Sequence, residues 1–142
     1  MRKVAVVYWS GTGNTEAMAR QAAQAAREAG AEVALFTAGD FGPDQMDAFD
    51  AVGFGCPSMG AEQLEECEFE PMFQSCEPKL KGKKIALFGS YGWGDGEWMR
   101  TWEEVCQNDG AELVSDCVIC NGPPEGSGLE ECSDLGRALA RS

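Results

Sequence analysis

The chain has no histidine, and its 11 lysines and arginines face 24 aspartates and glutamates, for a formal charge of −13. The missing imidazole removes the usual neutral-pH acid–base group and the commonest metal ligand. So few cations exclude the footprint of a nucleic-acid binder, and so many anions repel phosphate backbones and anionic membranes. Long hydrophobic runs are lacking too: none exceeds about seven residues, against the roughly 20 that a membrane-crossing helix needs. Val4 to Trp9, preceded only by Met1, Arg2 and Lys3, is too short for the core of a secretory signal. These absences predict a cytoplasmic protein with no nucleic acid and no membrane among its partners, steered instead toward positively charged proteins.

What is present points to one domain over residues 1–142, enough to bury about two-thirds of the unfolded surface around one core. No repeat, linker or boundary divides it. The seven cysteines (Cys56, Cys67, Cys76, Cys106, Cys117, Cys120 and Cys132) are odd in number and irregular in spacing, so free buried thiols are expected. Cys117-Val118-Ile119-Cys120 fits a C-x-x-C pattern but lies in an alternating run, where residues three apart face opposite sides of a strand. Such a pair can neither close a disulfide nor chelate zinc, and no metal site is expected.

Short apolar runs alternate with helical patterns. Strands are expected over 3–9, 32–36, 51–56, 84–89 and 112–120, and helices over 14–29, 69–76, 97–108 and 129–140. Val4-Ala5-Val6-Val7 and Ile85-Ala86-Leu87-Phe88 are apolar without alternation, as strands covered on both faces must be. Met18, Ala22, Ala25, Ala26 and Ala29 make one apolar face of the first helix, which Gly30 ends. This pattern defines an α/β three-layer sandwich around a five-stranded parallel sheet with right-handed crossovers. Ligands in such a sheet bind beyond the carboxyl ends of the strands, which directs attention to three loops.

The first loop, Ser10-Gly11-Thr12-Gly13-Asn14-Thr15, joins a strand directly to a helix N-terminus. Its glycines let N–H groups fold inward, its hydroxyls and amide add donors, and the helix dipole adds positive potential, which together make an anion nest. The lysine of a Walker loop and the third glycine of a dinucleotide fingerprint are both missing. With no cation in the loop, it suits a single phosphate held as an anchor. The loops Pro57-Ser58-Met59-Gly60-Ala61-Glu62 and Ser90-Tyr91-Gly92-Trp93-Gly94 each offer one large flat or polarizable side chain, Met59 and Trp93, to the faces of a ring.

These three segments, with Lys79 to Lys84 before the fourth strand, resemble the FMN-binding segments of the flavodoxin family, specifically its short-chain clostridial type. The resemblance implies the strand order 2-1-3-4-5 with FMN at the point where the winding reverses. It implies that Ser10 to Thr15 and Ser90 hold the phosphate, that Trp93 stacks on the outer ring face and that Met59 covers the inner one. It also implies that Glu62 accepts from flavin N3–H and that backbone N–H groups from Gly92 to Gly94 face the N1/O2 edge, beside Tyr91. Pro57 stands where some relatives have serine, which removes one phosphate hydroxyl that Ser58 need not replace. The implied function is a low-potential one-electron carrier, not an enzyme, that shuttles bound FMN between semiquinone and hydroquinone. Implied partners are redox proteins with basic docking faces, of the ferredoxin-type reductase or oxidoreductase kind, engaged by a monomer.

Charge can be sized against that role. A carboxylate about 10 Å from the reduced ring costs about 0.8 kcal/mol at an effective dielectric near 40, or some 35 mV. Gly60, second in the turn Met59-Gly60-Ala61-Glu62, accepts the positive φ of a type II′ turn, and the resemblance implies that its carbonyl turns to accept from flavin N5–H. The acidic run Glu62, Glu65, Glu66, Glu68 and Glu70 reads equally as a solvated helix start or as a docking patch. An NAD(P)H- or quinone-reductase on the same fold is the alternative, but no basic patch for a nicotinamide nucleotide is evident. A receiver domain or a cysteine phosphatase lacks its required residues.

Overall fold

The computed structural model describes residues 2–60 and 62–142. Ala61, expected in the second loop, lies outside the described residues. The strands are β1 (Lys3–Tyr8), β2 (Glu32–Thr37), β3 (Ala51–Gly55), β4 (Lys84–Tyr91), β5 (Glu112–Leu113) and β6 (Val118–Asn121). The helices are α1 (Asn14–Glu28), α2 (Pro43–Met46), α3 (Phe69–Cys76), α4 (Glu97–Asn108) and α5 (Ser127–Arg141). All strand pairs are parallel, in the order β2-β1-β3-β4-β5, with β6 also pairing β4.

The expected fifth strand is thus two strands. Lys84–Ile85 pair with Glu112–Leu113, and Phe88–Tyr91 pair with Val118–Asn121. The chain takes five steps from Leu113 to Val118 while β4 takes three from Ile85 to Phe88, so two extra residues must loop out. Ser115 turns its hydroxyl onto the Asp116 carbonyl in this stretch, 3.1 Å away. Cys117 accordingly precedes the strand instead of lying within it. It packs toward α4 while Cys120 packs on the opposite face of the sheet, and all seven cysteines are free.

Alternation places two cores on the central strands. Ala5, Val7, Val52, Phe54, Ile85 and Leu87 face α3 and α4, where Phe69, Phe73, Trp98 and Trp102 pack. Val4, Val6, Ala51, Ala86 and Phe88 face α1 and α5. The helices α1 and α5 meet so closely that a Cβ on Gly136 would lie 2.1 Å from the Ala22 carbonyl oxygen. Pro43–Met46 was not anticipated as a helix. Its first turn is set by Pro43, by the Gly42 N–H on Gln45 Oε1 at 2.7 Å and by the Gln45 N–H on the Gly42 carbonyl at 3.0 Å.

Candidate functional site

At the carboxyl ends of β1, β3, β4 and β6 lies a cavity of about 280 Å³. Ser10, Gly11, Thr12, Asn14 and Thr15 from the first loop line it, as do Pro57, Ser58 and Met59 from the second and Ser90, Tyr91 and Gly92 from the third. Among the described residues, no charged side chain is among its walls. Two wall residues escaped the sequence reading. Trp9 ends the run before the first loop, and Gly122 follows β6, a strand end that the sheet rule alone would have flagged.

The first loop is built to leave donors free. Gly13 is the N-cap of α1 at φ 97°, without a side chain to cap the helix, and the first intrahelical bond runs from the Ala17 N–H to the Gly13 carbonyl at 3.0 Å. The N–H groups of Asn14, Thr15 and Glu16 therefore have no helical partner. Ser10 Oγ accepts from the Gly13 N–H at 3.0 Å and so folds the loop on itself. Behind it, the buried hydroxyls of Thr15 and Ser90 bond each other at 2.9 Å and tie the start of α1 to the end of β4.

Strand ends hold the other loops in register. The Ser58 N–H donates to the Ser90 carbonyl at 3.0 Å, the Trp9 N–H to Gly55 at 3.0 Å, and the Trp98 indole N–H to the Cys56 carbonyl at 3.1 Å. Met59 and Gln63 exchange two backbone bonds, of 2.8 and 3.0 Å. The turn thus closes one residue later than a four-residue turn from Met59 would. Gly60 has φ 51°, the left-handed sign expected of it, and Glu62 shares that region at φ 53°. Trp93 stands 63% exposed beyond the cavity rim, a large aromatic left free to stack. Gly13, Gly60, Glu62, Trp93 and Gly94 are not cavity walls.

The acidic run resolves into separate tasks. Glu62 lies against Gly94, and its Oε1 accepts from the Glu97 N–H at the start of α4, 3.1 Å away. Glu65 is buried, and its carboxylate accepts from the N–H groups of Cys67, Glu68 and Phe69 at 2.8–2.9 Å. Burial pushes its pKa up, but the three donors outweigh it and hold the carboxyl below its ordinary value. Glu68 accepts from the Trp9 indole N–H at 3.2 Å. Burial pushes the Cys56 thiol up to about 12, which makes it a poor nucleophile beside the site.

An uncapped helix start opening on a cavity at the carboxyl ends of a parallel sheet of order 2-1-3-4-5 places the protein in the doubly wound α/β class; flavodoxin is itself the standard example of this layout. The flavodoxin family profile matches residues 6–136. The chain is 45% identical to the flavodoxin of Megasphaera elsdenii over 98% of its own length and 99% of the relative's. It is 43% identical to that of Clostridium beijerinckii, over 95% and 97%. The solution structure of two-electron reduced Megasphaera elsdenii flavodoxin superposes with a TM-score of 0.91, covering 98% of this chain and 99% of that one. The chain belongs to the flavodoxin family, in its short-chain form. Flavodoxins are FMN-binding electron-transfer proteins, so the chain is an electron carrier on FMN, and the reductase alternative is not favoured.

Proposed function

We propose that FMN sits with its phosphate on residues 10–15 and its ring between Met59 and Trp93, and that the chain passes single electrons to proteins with basic docking faces. The observation that supports this most is the uncapped start of α1 opening on a cavity without charged walls. Bound FMN supplies the one-electron chemistry. Gly11, Thr12, Gly13, Asn14 and Thr15 give the phosphate neutral donors, and Ser90, linked to Thr15, fixes the far wall. Glu62 keeps Oε2 for the ring N3–H while Oε1 stays on α4. Among the described residues no cavity wall is cationic, so none of them would offset negative charge on bound FMN, which would favour a low potential. Gly60 leaves its peptide free to turn and accept from ring N5–H.

The protein purified with FMN is expected to be yellow and to bind FMN one to one. A colourless protein that refuses added FMN would end this reading. Its reaction with a ferredoxin-type reductase in the cytoplasm is expected to slow as salt rises, because attraction between opposite charges is screened over about 8 Å. Gly60→Val forces a branched side chain into the left-handed region at about 1–2 kcal/mol. It is expected to narrow the gap between the two one-electron potentials by about 40–90 mV, read by anaerobic titration. An unchanged gap would remove Gly60 from this role.

A further inference from the structure

Trp9 is a partition between two cavities. On one side lies the cavity of about 280 Å³ at the strand ends, and on the other a polar hollow of about 310 Å³ whose walls include Ser10, Glu16, Gly39 and Glu68. The ring packs partly against the core that faces α3 and α4, but open space on two sides leaves packing alone a weak hold on it. Its other contacts therefore decide where it stands. The indole lies against the first loop, where a Cβ on Gly11 would come within 3.1 Å of Cη2, and its Nε1–H donates to Glu68 Oε1 at 3.2 Å. Glu68 is itself fixed. It is the N-cap of α3, its N–H donates to Glu65 Oε1 at 2.8 Å, and its Oε2 lies 3.3 Å from where a Cβ on Gly39 would be. Among the described residues no lysine or arginine lines the hollow, and the neighbouring Glu16 is paired with Arg20 at 2.7 Å. The carboxylate of Glu68 thus makes a charge-assisted bond to the indole, stronger than one from a neutral acceptor.

We propose that Glu68 is a positioning residue for the cofactor: it is not a wall of the cofactor's cavity, but it holds the Trp9 ring against Gly11 and so sets the shape of the loop that takes the phosphate. The inference rests on the reading that the phosphate sits on residues 10–15. The line of contacts runs from Glu65 and its three amides, through the backbone and carboxylate of Glu68, to the indole and on to Gly11. Two effects of this carboxylate have opposite signs. Its charge repels a phosphate, so charge alone makes its removal tighten FMN binding. Its hydrogen bond keeps a wall of the cavity in place, so positioning makes its removal weaken FMN binding. Glu68 is exposed, and substitutions there leave the two cores untouched.

The test compares Glu68→Leu, which removes charge and acceptor, with Glu68→Gln, which removes the charge and keeps an acceptor oxygen. FMN is titrated into each apoprotein, and the Trp9 indole N–H and the phosphorus of bound FMN are followed by magnetic resonance in the loaded proteins. Glu68→Leu is expected to weaken FMN binding about fivefold in spite of the repulsion it relieves, and to shift both resonances. Glu68→Gln is expected to bind FMN at least as tightly as wild type, with smaller shifts. FMN affinity at or above wild type in Glu68→Leu, an unmoved phosphorus resonance, or an equal loss in both variants would overturn the positioning role. Riboflavin, which lacks the phosphate, tests the underlying reading on its own: wild type is expected to prefer FMN, and equal affinity for the two would remove the phosphate from residues 10–15 whatever the Glu68 variants do.

Discussion

Gly89→Ala is expected to cost about 3 kcal/mol of stability or more and to weaken FMN binding with it. A Cβ at this position would lie 2.1 Å from the Cys56 carbonyl oxygen, 3.0 Å from its carbon and 3.1 Å from the Trp98 ring. The first two contacts are backbone, so no rotamer change relieves them. The Cys56 N–H is held by the Phe88 carbonyl at 3.1 Å, and the Cys56 carbonyl accepts from Trp98, so both strands resist being pushed apart. Any shift passes directly into Pro57, Ser58 and Ser90 at the cavity. Gly92→Ala is the control, because a Cβ there meets nothing within 4 Å. It is expected to change stability by no more than about 0.5 kcal/mol. Urea denaturation followed by circular dichroism separates the two, and equal stability of both variants would refute the argument.

Glu65→Ala is the second large effect. It leaves three N–H groups at the start of α3 without their acceptor, at an expected cost of about 2–4 kcal/mol after water partly replaces it. Glu65→Gln keeps one acceptor oxygen and should fall between that variant and wild type. The folded protein holds this carboxyl below its unfolded value, so its contribution is fully present above the ordinary carboxylate range and is lost as pH falls through the lowered value. The stability gap between wild type and Glu65→Ala is therefore expected to shrink in acid. A gap independent of pH would mean that the charge of Glu65 plays no part.

These two residues also mark what could be read from the chain alone. The layering was legible because β1 and β4 are apolar without alternation; Cys117 and Cys120 do pack on opposite faces, but the expected strand geometry is not the reason, since Cys117 lies before β6. The split of the fifth strand goes beyond that reading, although the polar pair Ser115-Asp116 interrupts the apolar residues where the chain loops out. The three loops were legible from their glycines and hydroxyls. The acidic run was not, because five glutamates look alike until the fold buries Glu65 under three amides and turns Glu68 toward Trp9. Trp9 reads from the chain alone as a strand terminus, yet it walls the cavity.

The contact of Gly136 with the Ala22 backbone joins the last helix to the first. The loop of residues 10–15 leads straight into α1 (Asn14–Glu28), yet that helix has no back wall until α5 (Ser127–Arg141), far along the chain, is in place. The support behind that loop is consequently a non-local contact, which forms only after the loop-closure entropy between two distant helices has been met.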